Sequence, residues 1–240
     1  MSHDLRLHRV NFIRKSSFSS LIQQRLRIVT DEEKTYNMSF TAGAAMLNET
    51  HAVAEAFLEC DGDWERTKEK TFRENLMEKD KMSSSQRYFA LMKQRIEALN
   101  LLELEMLVNS TVAVRRQLVL LAICKAHSLI FDFISENVRD CFYNQYEKVT
   151  YLNFNEFYNE KKYIHPEIEA VTDQTVGKMR QVIFKILEQT ELIEDVDSGM
   201  LRRPYLSESL ERIIVRDDPK WLAIFLYSNN EINNLKDLYA

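Results

Sequence analysis

Gln174, Thr175, Lys178, Gln181 and Lys185 recur at a spacing that puts them on the outward side of one helix, opposite Val176, Met179, Ile183, Ile186 and Leu187. Their side chains suit contact with nucleic acid. A glutamine amide pairs with an adenine edge through two hydrogen bonds, a threonine meets a thymine methyl, and a lysine neutralises phosphate or reaches guanine. Gly177, near the start of the same helix, admits a close backbone approach, at a cost of about 1 kcal/mol relative to alanine. Arg202 and Arg203 follow a turn and read as phosphate contacts beside that helix. The same residues also fit a solvated polar face next to an exposed hairpin.

A second basic set lies upstream. Between positions 79 and 95, Lys79, Lys81, Arg87, Lys93 and Arg95 stand against a single acidic residue, Asp80, which leaves +4 in an otherwise acidic chain. Ser83, Ser84 and Ser85 are expected to cap a helix from Gln86 to Leu99, bringing hydroxyls and free N–H groups together as a seat for a phosphate oxygen. Lys81, Ser84, Ser85, Arg87 and Lys93 are therefore candidate contacts, with simple capping and a solvated charge run as the plainer alternative.

Catalytic chemistry has no visible seat. His3, His8, His51, His127 and His165 are scattered, without the spacing of a metal site or of a nucleophile and its base. Gly43, Gly62, Gly177 and Gly199 stand too far apart to cradle a nucleotide. Cys60, Cys124 and Cys141 are odd in number and lack a C-x-x-C pair, so they read as buried thiols. No catalytic residue, cofactor or metal is expected.

Helices must position the candidate contacts. Gly and Pro number only 4 and 3 in 240 residues, too few for the turns of a sheet-rich fold, while 45% hydrophobic and 29% charged residues suit a folded soluble protein. The longest apolar run, Leu118 to Cys124, is too short to span a bilayer, and no secretory signal is readable, so a cytoplasmic protein without membrane contact is expected. Helical spacing runs from Thr41 to the break at Asp61 and Gly62, and Asp63 caps a helix from Trp64 to about Met77. Leu101 to Val108, Thr111 to Lys125 and Ser128 to Asn144 form a dense apolar block. Beyond it, helices at 153–163, 166–170 and 173–190 precede a hairpin with its turn at Asp197, Ser198 and Gly199, the order of a winged helix. Helical stretches at 207–215 and 220–227 close the chain. The expected fold is an all-α, multi-helix globular bundle with helix-turn-helix elements and a small winged-helix-like hairpin near its C-terminus.

Charge is unevenly spread. Residues 1–30 hold Arg6, Arg9, Arg14, Lys15, Arg25 and Arg27 and carry +5, leaving −10 for residues 31–240. Three regions follow: a basic arm at 1–36, a helical domain with the first helix-turn-helix at 37–147, and the winged-helix-like domain at 148–240.

The run Ser39, Thr41, Gly43, Leu47, Glu49, Thr50, Val53, Ala54 and Glu55 resembles the opening motif of the BrxA family of bacteriophage-exclusion (BREX) systems. Glu74-Asn75-Leu76 before the serine-capped helix, and Leu201-Arg202-Arg203-Pro204-Tyr205 after the C-terminal one, continue the resemblance over residues 37 to about 227. It implies a helical, non-enzymatic component of phage defence, encoded beside a methyltransferase and an ATPase that are its possible partners, and binding DNA through helix-turn-helix elements. Double-stranded DNA is the expected partner, RNA remains open, and the absence of a heptad seam points to a monomer. The alternative is a protein-interaction adaptor docking through its acidic body and the apolar end from Trp221 to Tyr227.

Overall fold

The structure is a computed structural model that describes residues 36–78, 82–144 and 147–239; the basic arm up to residue 35 and Lys81 lie outside them. The first three long helices are α1 (Leu47–Glu59), α2 (Trp64–Arg73) and α3 (Met82–Glu97). Asp63 starts α2 as its residue type suggests, accepting from the N–H groups of Glu65 at 3.0 Å and Arg66 at 3.2 Å. The serines do not cap α3. That helix begins at Met82, so Ser84 and Ser85 fall inside its first turns and Ser85 faces inward at 6% exposure. Helix α1 also starts later than its apolar spacing suggests, because residues before Leu47 form a short 3-10 turn at Ser39–Ala42 and a left-handed Met46 with φ of 52°.

Helix α4 (Leu101–Asn109) opens on a reciprocal cap between Asn100 and Glu103. Helix α5 (Val112–Ala126) then buries every residue from Gln117 to Cys124, as a helix apolar on all sides must. At His127 the chain bends by 115° into α6 (Ser128–Tyr143), whose middle, Phe133–Val138, is wound as a π-helix. These two helices are core. No single helix among the described residues is long and apolar enough to cross a membrane.

Helices α7 (Tyr151–Lys162), α8 (Pro166–Glu169) and α9 (Asp173–Gln189) follow where expected, capped by Thr150, opened by Pro166 and capped by Thr172 respectively. After the turn that follows α9 come α10 (Glu208–Asp217), a 3-10 stretch Pro219–Phe225 and α11 (Asn229–Tyr239). Helix α11 was not expected, since its Asn-rich sequence has no buried residue to mark it. The apolar end is not a docking surface: Leu222, Ile224, Phe225 and Leu226 are all at 0% exposure, folded among α10, α11 and the core.

One hydrophobic cluster runs from Tyr36 to Tyr227 through both halves of the chain. Polar ties reinforce it. Gln117 donates to the Tyr205 carbonyl at 2.8 Å, Arg116 pairs with Glu191 at 2.7 Å, and Lys125 bridges Glu103 and Asp217 at 2.7 Å each.

Residues 36–46 form a strap across this body. The Tyr36 N–H donates to Glu167 at 2.9 Å and its hydroxyl to buried Asp132 at 2.8 Å, while the Ala45 N–H donates to Gln189 at 2.8 Å. Arg95, at 0% exposure, donates to the carbonyls of Ala45 at 3.0 Å and Gly43 at 3.2 Å. No carboxylate pairs with this guanidinium among the described residues, and burial lowers its pKa to about 9, so it is still charged at neutral pH. Arg95→Ala leaves two strap carbonyls without a donor and is expected to destabilise the protein by about 2–4 kcal/mol in urea unfolding, with faster amide exchange over the strap.

His127 is buried beside Phe40, with ring centroids 5.4 Å apart. Burial first, and the charge of Arg95 second, hold its imidazole down to about 3 against an ordinary value of 6.5. Between those values the unfolded chain takes up a proton that the folded one refuses, so stability is lost as pH falls through that window. His127→Phe should remove this share of the acid sensitivity, up to about 1.4 kcal/mol per pH unit, in urea midpoints measured from pH 7 to 4.

Candidate nucleic-acid interface

Five of the candidate side chains come together on α9. Gln174, Thr175, Lys178, Gln181 and Lys185 are all exposed, while Met179, Val182, Ile183, Phe184, Ile186 and Leu187 are buried on the other side. Gln174, Lys178, Gln181 and Lys185 stand at i, i+4, i+7 and i+11, which aligns them along one stripe. Thr175 is tied to the helix start, its N–H donating to the Thr172 hydroxyl at 3.3 Å. Lys185 is partly neutralised by an ion pair with Glu188. No ion pair engages Lys178 among the described residues, which leaves it the freest cation of the stripe.

The helix runs directly into a small ribbon. Ile193 and Leu201 form one antiparallel bridge and Lys148 and Met200 another, so residues 147–149 add a third segment beside the two arms of the turn. Backbone hydrogen bonds complete it: Glu194 N–H to Met200 O at 2.8 Å, Arg202 N–H to Leu192 O at 2.8 Å, Val149 N–H to Gly199 O at 2.9 Å and Leu201 N–H to Glu147 O at 2.8 Å. At the tip, the Asp195 carboxylate accepts from the N–H groups of Ser198 at 2.8 Å and Asp197 at 3.0 Å and from the Ser198 hydroxyl at 2.9 Å. Those donors, the Ser198 N–H foremost, hold its pKa below the usual aspartate range.

The two arginines part company. Arg202 crosses the ribbon to Glu194 at 2.8 Å and stays largely exposed beside the turn. Arg203 instead pairs with Glu231 of α11 at 2.7 Å and lies over the Tyr227 ring, 4.4 Å from its centroid. Successive residues of an extended segment point to opposite sides, which separates them. Although burial opposes it, the Ser228 N–H and Arg203 draw the Glu231 carboxyl down to about 2. Arg203 thus anchors α11.

The upstream set does not assemble. Ser85 is buried and Arg95 fully so, out of reach of any ligand on that surface. Arg87 is exposed, but Lys93 lies around the helix from it, over the Trp64 ring at 5.3 Å and 3.9 Å from Glu97. Ser84 is half-buried, and Lys81 lies outside the described residues. A helix of mixed charge needs only that its ends reach water, and Arg95 reaches strap carbonyls instead.

Sequence reasoning passed over several neighbours of the stripe. Arg180 donates to Asn155 at 2.8 Å and lies over the Tyr151 ring at 4.6 Å, joining α9 to α7. Lys148 lies on the ribbon edge, and Tyr205 stands 88% exposed just past the arginines. Among the described residues no group of three or more His, Cys, Asp or Glu could hold a metal ion.

Gly199 lets the ribbon close. Its φ of +62° favours glycine, and a Cβ there would stand 2.0 Å from the Val149 carbonyl oxygen. Gly199→Ala is expected to cost about 2–4 kcal/mol in thermal or urea unfolding and to deprotect the Val149 amide in hydrogen exchange.

These features define an all-α globular protein whose long surface helix feeds a small ribbon. The BrxA family model matches residues 34–218, and the chain belongs to that family. It is 23% identical over 184 residues to a BREX protein BrxA of Escherichia coli O9:H4 (strain HS), covering 77% of this chain and 86% of that protein. A BREX protein BrxA of Paramagnetospirillum magneticum is also 23% identical, over 194 residues, covering 77% of this chain and 96% of its own length. A crystal structure of an uncharacterized protein from Magnetospirillum magneticum shares the fold, with a TM-score of 0.71 at 19% identity over 80% of this chain and 98% of that one.

Proposed function

We propose that the chain is a component of a bacterial BREX phage-defence system that acts by binding double-stranded DNA rather than by catalysis, in the cytoplasm and as a monomer. Membership of the BrxA family supports the place in BREX; its relatives are named BREX proteins. The observation that carries DNA binding is the α9 stripe, Gln174, Lys178, Gln181 and Lys185 exposed in line, with Thr175 at its start. Helices α7, α8 and α9 followed by the ribbon have the order of a winged helix. In that arrangement α9 enters the major groove, the glutamines meet base edges, and Arg202 at the turn holds phosphate. Arg87 and Lys93 add at most flanking contacts, and Arg203 is committed to α11. A methyltransferase or ATPase of the same system is a further partner of the bound protein.

Binding of a labelled duplex, followed by fluorescence anisotropy over a salt series, tests this reading. Each phosphate contact contributes about 0.9 to the slope of log affinity against log salt, so Lys178→Ala and Arg202→Ala should each flatten it by about that amount. Gln181→Ala should weaken binding with the slope unchanged. A duplex that fails to bind at any salt, or slopes indifferent to both cations, overturns the reading and favours the adaptor.

A further inference from the structure

A groove of about 650 Å³ opens between α6, the 3-10 stretch Pro219–Phe225 and α11. Its volume lies in the range of small-molecule sites, and none of the side chains assigned to DNA lines it. One wall is the π-wound part of α6 with its flanks, where Phe131, Ser135 and Arg139 recur four apart. The other is α11, whose Asn229, Ile232, Asn233 and Lys236 stand at i, i+3, i+4 and i+7 and so share one face of the helix. A π-turn is rare, and within an α-helix it is found frequently at functional sites.

The polar groups of the groove are unevenly occupied. Ser135 is at 7% exposure and lines the groove, yet its hydroxyl has no hydrogen-bond partner among the described residues. A buried hydroxyl costs free energy unless something in the groove bonds to it. Arg139 makes one side-chain bond, from Nη1 to the Asn229 amide oxygen at 3.2 Å. Neither it nor Lys236 pairs with a carboxylate among the described residues. Three acids share the lining, but Glu136 is taken by Lys161 at 2.7 Å and Asp218 by Lys220 at 2.8 Å. Arg139 and Lys236 then stand against Asp140 alone, an excess of positive charge in a body whose residues 31–240 carry −10.

We infer that this groove binds a small phosphate monoester, a nucleotide or a sugar phosphate, with the phosphate on Arg139 and Lys236. The guanidinium offers a planar fork of donors and the ammonium a mobile point charge, a combination suited to a phosphate dianion. Asn229, Asn233 and Ser135 each give and accept hydrogen bonds, as the hydroxyls of a sugar or the edge of a base require. Phe131, Pro219, Ala223 and Ile232 supply apolar wall for a ring. The bound phosphate joins α6 to α11, two elements that the Arg139 to Asn229 bond already links. The family match ends at residue 218, so the wall on α11 lies outside the part shared with the family model.

Isothermal titration calorimetry of the full chain with adenosine monophosphate, ribose 5-phosphate and inorganic phosphate tests the assignment. At least one of the two esters is expected to bind with a Kd below about 1 mM, and inorganic phosphate about tenfold or more weaker than that ester. Tighter binding of the nucleotide assigns the remaining contacts to the base, and equal binding of the two esters assigns them to the sugar; both support the site. Arg139→Gln and Lys236→Gln should each weaken the ester by about tenfold, the loss of one charge-assisted contact. Lys236 is exposed and unpaired, so its variant decides even where loss of the Arg139 to Asn229 bond loosens α11. Ser135→Ala should weaken the ester by about threefold or more while the melting temperature stays the same, because its hydroxyl has no internal partner to lose. Failure of both esters to bind, inorganic phosphate binding as tightly as the esters, or an affinity indifferent to both cations overturns the inference.

Discussion

A buried guanidinium that pairs with no carboxylate among the described residues organises this protein. Arg95 gives its hydrogen bonds to the carbonyls of Gly43 and Ala45, in a segment that has too little regular structure to satisfy its own backbone. The exchange is reciprocal. The strap gains donors for groups that burial would leave unpaired, and the cation gains dipoles in place of water. From that clamp the strap reaches Asp132 on α6, Glu167 on α8 and Gln189 on α9, so one short segment registers the first half of the chain against the second. The orientation of α9 depends on it.

The surface follows a different rule from the core. On α9 the apolar side chains point at Phe133 and its neighbours, and the polar stripe is what remains outside. Many of the other cations are occupied: Arg116 with Glu191, Lys125 with Glu103 and Asp217, Arg202 with Glu194, Arg203 with Glu231. Most such exposed pairs add little stability, but they consume charge that a polyanionic partner would need. An acidic body with many of its cations engaged makes long-range attraction to a polyanion the scarce property.

The elements around the interface were legible because local chemistry determines them. Asp63, Asn100, Thr172 and Ser207 all start helices, each offering a short polar side chain to otherwise free N–H groups, while at Thr150 the Asn153 side chain accepts from the threonine N–H and hydroxyl. The stripe on α9 was legible for the same reason, since a helical period separates its two faces without reference to any neighbour. The third segment of the ribbon was not, because Lys148 and Val149 pair with residues about fifty positions away and show no alternation of their own. Helix α11 carries a weak signal because none of its residues is fully buried: Ile232, Leu235 and Tyr239 pack only partly against the core, beside the ties of Arg203 to Glu231 and Arg139 to Asn229.

The sequence by itself determined the all-helical class, most helix starts, the positive φ at Gly199, the chemistry of the α9 face and membership of the BrxA family, all properties of local pattern or motif. Only the tertiary structure decided which cations remain available. Arg95 and Lys93 read alike in a basic run, yet one is sealed beneath the strap and the other lies on Trp64. Arg202 and Arg203 are adjacent, yet one stays at the turn and the other anchors α11. Residue type sets what a side chain can bind, but burial and the nearest carboxylate set whether it is free to do so, and both depend on chain segments far away in sequence.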